Sequence, residues 1–304
     1  MPEAPTPTRR RLSCASQRRG WGLTKSFYCR FLDLANKRSP LCVGIDPSSS
    51  VLRSWGLRDD VNGLRTFCDI VIEATADKVS VMKPQAAFFE RFGSEGFREM
   101  IRAIARIKET GTLALLDAKR ADISTSALAY GQAFLGDDSP ARCDAITANA
   151  YLGLAALDPI LSRAKDTGSC VFVVVRSSNP EGTTLQLAKT SSGQTIAEML
   201  CTQITETIRQ AGTEEGHVGA VIGATLDEDQ SHYAGLLPHS IMLAPGIGAQ
   251  GATMEDVAKG FGDSSFRVIP SVSREIYSPG PSKDAVAKRV DAFAEDARSL
   301  VRKM

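Results

Sequence analysis

Eight short apolar runs, each followed by a polar turn and a longer stretch of helical period, constrain the fold of this chain more than any other feature. The runs are "LCVGID" (41–46), "KVSVMK" (78–83), "TLALLD" (112–117), "CDAIT" (143–147), "CVFVVV" (170–175), "VGAVIG" (218–223), "SIMLAP" (240–245) and "FRVIP" (266–270). Their apolarity is nearly continuous, the mark of strands buried on both faces of a parallel sheet. Between them, Leu64, Phe67, Ile70, Val71 and Ala74 form one helical stripe. Phe97, Ile101, Ile104 and Ala105 form a second, with Gly111 as its stop. "DAVAKRVDAFAEDARSLV" closes the chain as a third helix. Eight such alternations predict an α/β fold, a (β/α)₈ TIM barrel with its active site at the C-terminal strand ends. A doubly wound open sheet is the alternative. It usually carries a Gly-rich phosphate turn after the first strand, where this chain has "GIDPSSS".

The barrel is expected over residues 23–304, preceded by a basic tail over residues 1–22. The tail is rich in Arg, Ser and Pro, with Glu3 as its single acid. It lacks the apolar segment of a secretory signal, and its composition fits a disordered tail better than a transit peptide. A net charge of +1 gives no global field for nucleic acid or a membrane surface. No run approaches the eighteen or so apolar residues of a membrane span. Seven cysteines, an odd count with no C-x-x-C, read as small buried hydrophobes in a reducing, cytoplasmic setting rather than a disulfide framework.

The strand ends carry the chemistry. Asp46 ends the first run, Lys83 the second and Asp117 the third; Lys119 follows two residues on and Asp122 leads into the next helix. Strand period places Asp117 and Lys119 on one side if the extended geometry continues. Any one of these charges alone reads as a solvated or capping residue. Four of them on three consecutive strands form a costly cluster unless each is paired. On the opposite side, "APGIGAQG" (244–251) and "SVSREIY" (271–277) follow the seventh and eighth strands, the usual phosphate position in this fold. Gln250 offers an amide and Arg274 a bidentate grip there. A long polar connection, "SSNPEGTTLQLAKTSSGQ" (177–194), follows the fifth strand, where a lid would sit on the catalytic face. The three histidines, His217, His232 and His239, show no metal-ligand spacing.

"DAKRADI" (117–123) resembles the D-x-K-x-x-D motif of orotidine 5′-monophosphate decarboxylases. "LCVGIDPS", "MKPQAAFFERFG", "SSNPEG", "VIGAT", "APGIGAQG" and "PSVSREIY" resemble, in the same order, the longer bacterial branch of that family. The resemblance covers the chain from about Phe31 onward. "NAYLG" departs from it, with Ala150 where relatives often have Pro, away from the charged residues.

The resemblance implies cofactor-free and metal-free decarboxylation of orotidine 5′-monophosphate to UMP. In it Lys119 is the proton donor, Asp117 sits against the substrate carboxylate and Lys83 joins the charge network. Asp46 binds the ribose, Ser178 the pyrimidine, and Gln250 with Arg274 the phosphate. Asp122 reaches into the site of a second subunit of a homodimer, and Ser126 or Thr125 meets the ribose across that interface. The alternatives are a metal-dependent sugar-phosphate enzyme of the same suprafamily and a non-catalytic nucleotide-binding barrel. The first uses an acid where Lys83 stands, and a lysine there would repel a metal. The second would not need the set Asp117, Lys119 and Asp122.

Overall fold

A computed structural model describes residues 17–19, 22–213, 215–226 and 230–301. Eight parallel strands close into a barrel: β1 (Cys42–Ile45), β2 (Val81–Pro84), β3 (Leu113–Arg120), β4 (Ala145–Ala148), β5 (Cys170–Arg176), β6 (Val218–Ile222), β7 (Met242–Pro245) and β8 (Val268–Val272). Each pairs with its sequence neighbour, and β8 pairs back onto β1 through Ser271↔Cys42 and Val272↔Val43. The expected TIM barrel is therefore the fold.

Side-chain period along the strands separates two cores. Cys42, Val81, Leu113, Leu115, Ala145, Cys170, Phe172, Val221, Leu243 and Ile269 point inward and fill the barrel. Val43, Ile45, Met82, Ala114, Leu116, Ile146, Val171 and Val173 point outward against the helices. The N-terminal end of the barrel is plugged by the helix Phe27–Lys37, capped by Ser26, whose Oγ accepts from the Cys29 N–H. Its Phe27 meets Phe172 edge-on at 5.6 Å. With one end filled, the open mouth lies at the C-terminal strand ends.

Several local expectations change. β3 does not stop at Asp117 but runs to Arg120 with a register irregularity, and β2 begins at Val81, not Lys78. The helix Gly93–Glu109 buries Met100, Ala103, Ile104 and Ile107, while Phe97 is 37% exposed and Ala105 faces solvent. Phe97, Ile101, Ile104 and Ala105 keep helical spacing, but packing against Val61–Thr75 and the barrel selects the adjacent stripe. The segment after β5 is folded rather than structureless, with helical turns at Pro180–Gly182 and Thr183–Gln186 and a bridge between Lys189 and Thr195. Within the segment expected as a tail, Gln17–Arg19 pairs antiparallel with Gly22–Thr24; residues 1–16 and 20–21 lie outside the described residues.

Cys42, Cys68, Cys143, Cys170 and Cys201 are free and buried, as expected. Cys29 is disulfide-bonded, which corrects the all-thiol reading at that position; Cys14 lies outside the described residues. Among the described residues, no helix is long and apolar enough to cross a membrane.

Candidate active site

The inward alternation that fills the barrel continues upward into polar side chains. Above Cys42 comes Asp46, above Val81 comes Lys83, above Leu115 comes Asp117 then Lys119, and above Ala145 comes Thr147. These line one cavity of about 290 Å³ together with Ser178, Gln250 and Arg274 from the far side. Seven of the residues singled out in the sequence thus converge, although they lie as far apart as 46 and 274 in the chain.

The centre is the Asp117 carboxylate, itself 7% exposed. Its Oδ1 accepts from Lys119 Nζ at 2.7 Å and from Thr147 Oγ1 at 2.7 Å, and its Oδ2 accepts from Lys83 Nζ at 3.2 Å. Burial by itself would raise the Asp117 pKa. The charges of Lys83 and Lys119, with hydrogen bonds from Lys119 and Thr147, outweigh it and hold the carboxyl well below the usual carboxylate range. Burial by itself would lower Lys83. The carboxylates of Asp117 and Asp46 overcome that and hold the ammonium above its ordinary value. The cluster is therefore a set of fixed charges in which Lys83 and Asp117 are buried while the Lys119 side chain reaches the open mouth. Asp46 Oδ1 is buried without a hydrogen-bond partner, so this acid is short of protein donors.

The alternation does not reach Lys119 by plain extended backbone. Its φ is +46°, in the left-handed region that non-glycine residues sparsely occupy. The Lys119 N–H donates to Thr147 Oγ1 at 2.9 Å, and the Arg120 carbonyl accepts from the Asn149 N–H at 3.0 Å. The backbone of β3 is thus tied to β4 on both sides of the strained position.

Across the mouth, Ser178 Oγ donates to Gln250 Oε1 at 2.9 Å, joining the loops after β5 and β7. Gly248 has φ +76°, and a methyl on it would lie 2.5 Å from Glu275 Cγ, so this turn requires glycine. Arg274 begins the short helix Arg274–Tyr277 directly after β8. On β1, a methyl at Gly44 would lie 2.0 Å from Ser273 Oγ and 3.3 Å from Asp46 Oδ2; glycine lets the Ser273 hydroxyl, just past β8, close against β1 beside Asp46.

Two predicted residues are not brought into this cavity. Asp122 lies beyond β3, with its Oδ1 accepting from the Ile123 N–H, and Ser126 is exposed in the first turn of the helix Ser124–Leu135, as is Thr125. Ile123, not Asp122, occupies the N-cap of that helix. Sequence reasoning missed Thr147, along with Ser177, Ser271 and Ser273, which also line the cavity. A threonine inside an apolar strand reads as β-branched filler, and the only signal for it was its place two residues after inward Ala145.

A family model described as the orotidine 5′-phosphate decarboxylase / HUMPS family matches residues 39–290. The chain belongs to this family. The orotidine 5′-phosphate decarboxylase of Myxococcus xanthus is 43% identical over 275 residues, covering 90% of this chain and 96% of that protein. That of Salinispora arenicola is 42% identical over 278 residues, covering 91% and 99%. A solved Streptomyces avermitilis structure, assigned as an orotidine 5′-phosphate decarboxylase, superposes with a TM-score of 0.86 at 42% identity, covering 92% and 97%. The Leishmania donovani OMP decarboxylase structure gives 0.73 at 26% identity, covering 90% and 98%. As a member of the orotidine 5′-phosphate decarboxylase family, the chain is an enzyme of the carboxy-lyase class.

Proposed function

We propose that this enzyme converts orotidine 5′-monophosphate to UMP, the last step of de novo UMP synthesis in the cytoplasm, without metal or cofactor. The observation that carries the reading is one buried carboxylate, Asp117, held between two lysine side chains at 2.7 and 3.2 Å, inside a mouth whose opposite wall carries Gln250 and Arg274.

Loss of CO₂ from C6 breaks the C6–carboxylate bond and leaves its electron pair in an orbital in the ring plane. The ring π-system cannot delocalise that pair, so fixed charge has to stabilise it. The Lys119 ammonium faces the developing carbanion and then delivers its proton to C6. Lys83 balances Asp117, so that Asp117 orients Lys119 while remaining ionised. Its charge beside the departing carboxylate makes the bound substrate less stable than the product side. Asp46, short of protein donors, accepts from the ribose hydroxyls. The Ser178–Gln250 contact links the pyrimidine side to the phosphate side, so phosphate binding can favour closure of the loop over the ring. A lysine at position 83 leaves no acid there to hold a cation, which favours this reading over a metal-dependent sugar-phosphate reaction.

The active unit is a homodimer. Asp122 and Ser126, outside the cavity of their own chain, serve the partner's site. Supporting this, the loops after β3 and β4 expose Ile123 (56%), Tyr151 (75%) and Leu152, and the helix Ser124–Leu135 exposes Leu128, apolar surface suited to a second copy.

The test is the ultraviolet change on mixing the protein with orotidine 5′-monophosphate in excess EDTA. Wild type should turn over and Lys119→Ala should not, and mixing inactive Lys119→Ala with inactive Asp122→Ala should restore activity by forming one complete shared site. Turnover that disappears in EDTA and returns with Mg²⁺ would refute the metal-free mechanism. A folded, inactive wild type would refute the assignment of substrate.

A further inference from the structure

Thr147 has no part in the chemistry above, yet its hydroxyl touches two residues that do, Asp117 and Lys119. It sits on β4 with 1% exposure, its backbone fixed by pairing with Phe172 of β5. The direction of its two hydrogen bonds is forced. The Lys119 N–H can only donate, so Oγ1 accepts there at 2.9 Å. Asp117, held ionised, can only accept, so the single hydroxyl proton points at Oδ1, 2.7 Å away. One oxygen thus ties the side chain of Asp117 to the backbone of Lys119. Valine would fill the same space without either bond, so packing alone does not call for a hydroxyl here.

The two bonds act on different features. The bond to Asp117 fixes the plane of a carboxylate that must receive Lys119 on one oxygen and Lys83 on the other. The bond from Lys119 holds a left-handed residue whose φ of +46° persists only where its surroundings impose it. A β-branched side chain on a rigid strand does this with little rotamer freedom to lose. We infer that Thr147 is a positioning residue for decarboxylation: its hydroxyl sets Asp117 and Lys119 in register, so that the ammonium meets the reacting carbon. This rests on the proposed roles of Asp117 and Lys119.

The test compares Thr147→Val and Thr147→Ser with wild type and with Lys119→Ala. Thr147→Val should lower kcat about 10- to 100-fold, the range expected for losing a hydrogen bond to a charged group, with KM for orotidine 5′-monophosphate changed less than about threefold. Thr147→Ser, which keeps the hydroxyl, should recover most of the loss. The acid limb of kcat should move to higher pH in Thr147→Val, because a lost donor makes the Asp117 carboxylate easier to protonate. Amide exchange at the Lys119 N–H should quicken in the valine variant and not in the serine variant, a readout that needs no turnover.

Thr147→Val retaining kcat within about twofold would overturn the inference, since an orienting bond is worth more than that. So would an equal loss in Thr147→Ser, which would assign the effect to the methyl group. If Lys119→Ala kept full activity, the assignment of the proton donor would fall instead. The exchange result would then show whether Thr147 still pins that backbone.

Discussion

Replacing Asp117 by Asn should convert Lys83 from a group that holds its proton into one that sheds it. In the wild type the largest influence on Lys83 is burial, which disfavours its charge; Asp117 and Asp46 together outweigh it. Burial also exceeds the effect of the Asp46 charge taken singly. The neighbouring Cys42 thiol, pushed up to about 12 by burial, adds no negative charge near neutral pH. With Asp117 neutral, Asp46 alone cannot offset burial, and the folded-state pKa of Lys83 falls below its unfolded value of about 10.4. At the 3.2 Å separation, the lost attraction is about 5 kcal/mol at an effective dielectric near 20. Removing one partner of a buried pair typically destabilises by roughly 3–5 kcal/mol. For a chain of this size that lowers Tm by roughly 5–10 °C at pH 7.

The pH dependence gives the sharper test. In the wild type, Lys83 is raised, so its contribution is fully present below about pH 10.4 and is lost only as pH rises through the folded value. Asp117 is depressed, so its contribution is present above about pH 3.9 and is lost as pH falls through its folded value. In Asp117→Asn the unfolded state binds more protons than the folded state between the lowered Lys83 value and about 10.4, so stability rises with pH there, by up to about 1.4 kcal/mol per unit. Urea unfolding at several pH values between 7 and 10 reads both slopes. A variant curve parallel to the wild type, or a Tm within about 2 °C of it, would refute the account of Lys83 as a buried charge dependent on Asp117.

Gly44→Ala should press its methyl into Ser273 Oγ and crowd Asp46. Overpacking of this kind is expected to destabilise by about 1–3 kcal/mol, and the displaced Asp46 should lower kcat/KM for orotidine 5′-monophosphate. Unchanged melting and kinetics would show that Ser273 swings aside freely. Ser178→Ala and Gln250→Ala should be non-additive in kcat/KM, with a coupling of about 0.5–1.5 kcal/mol from their 2.9 Å contact. A double variant equal to the sum of the singles would mean that the two loops act independently.

The barrel was legible because eight buried parallel strands must be apolar on both faces, and that near-continuous apolarity is visible in one dimension. Asp46, Lys83, Asp117 and Lys119 were legible for the same reason: charge where such a strand ends is out of place in a core. Local pattern does not choose between overlapping helical stripes: spacing alone favours Phe97 and Ala105 inward, whereas packing against Val61–Thr75 selects Met100, Ala103 and Ile107. Nor could it foresee that Asp117 and Lys119 share one mouth through a left-handed backbone, or that the hydroxyl of Thr147 fixes both. The sequence by itself determined the alternation, the strand identities and the charged strand ends, since these depend on residue type and spacing along the chain. Only the tertiary structure decided which side chains meet. Barrel closure sets strand register and tilt, and these bring Thr147 of β4 and Gln250 of the loop after β7 within hydrogen-bond reach of partners dozens of residues away.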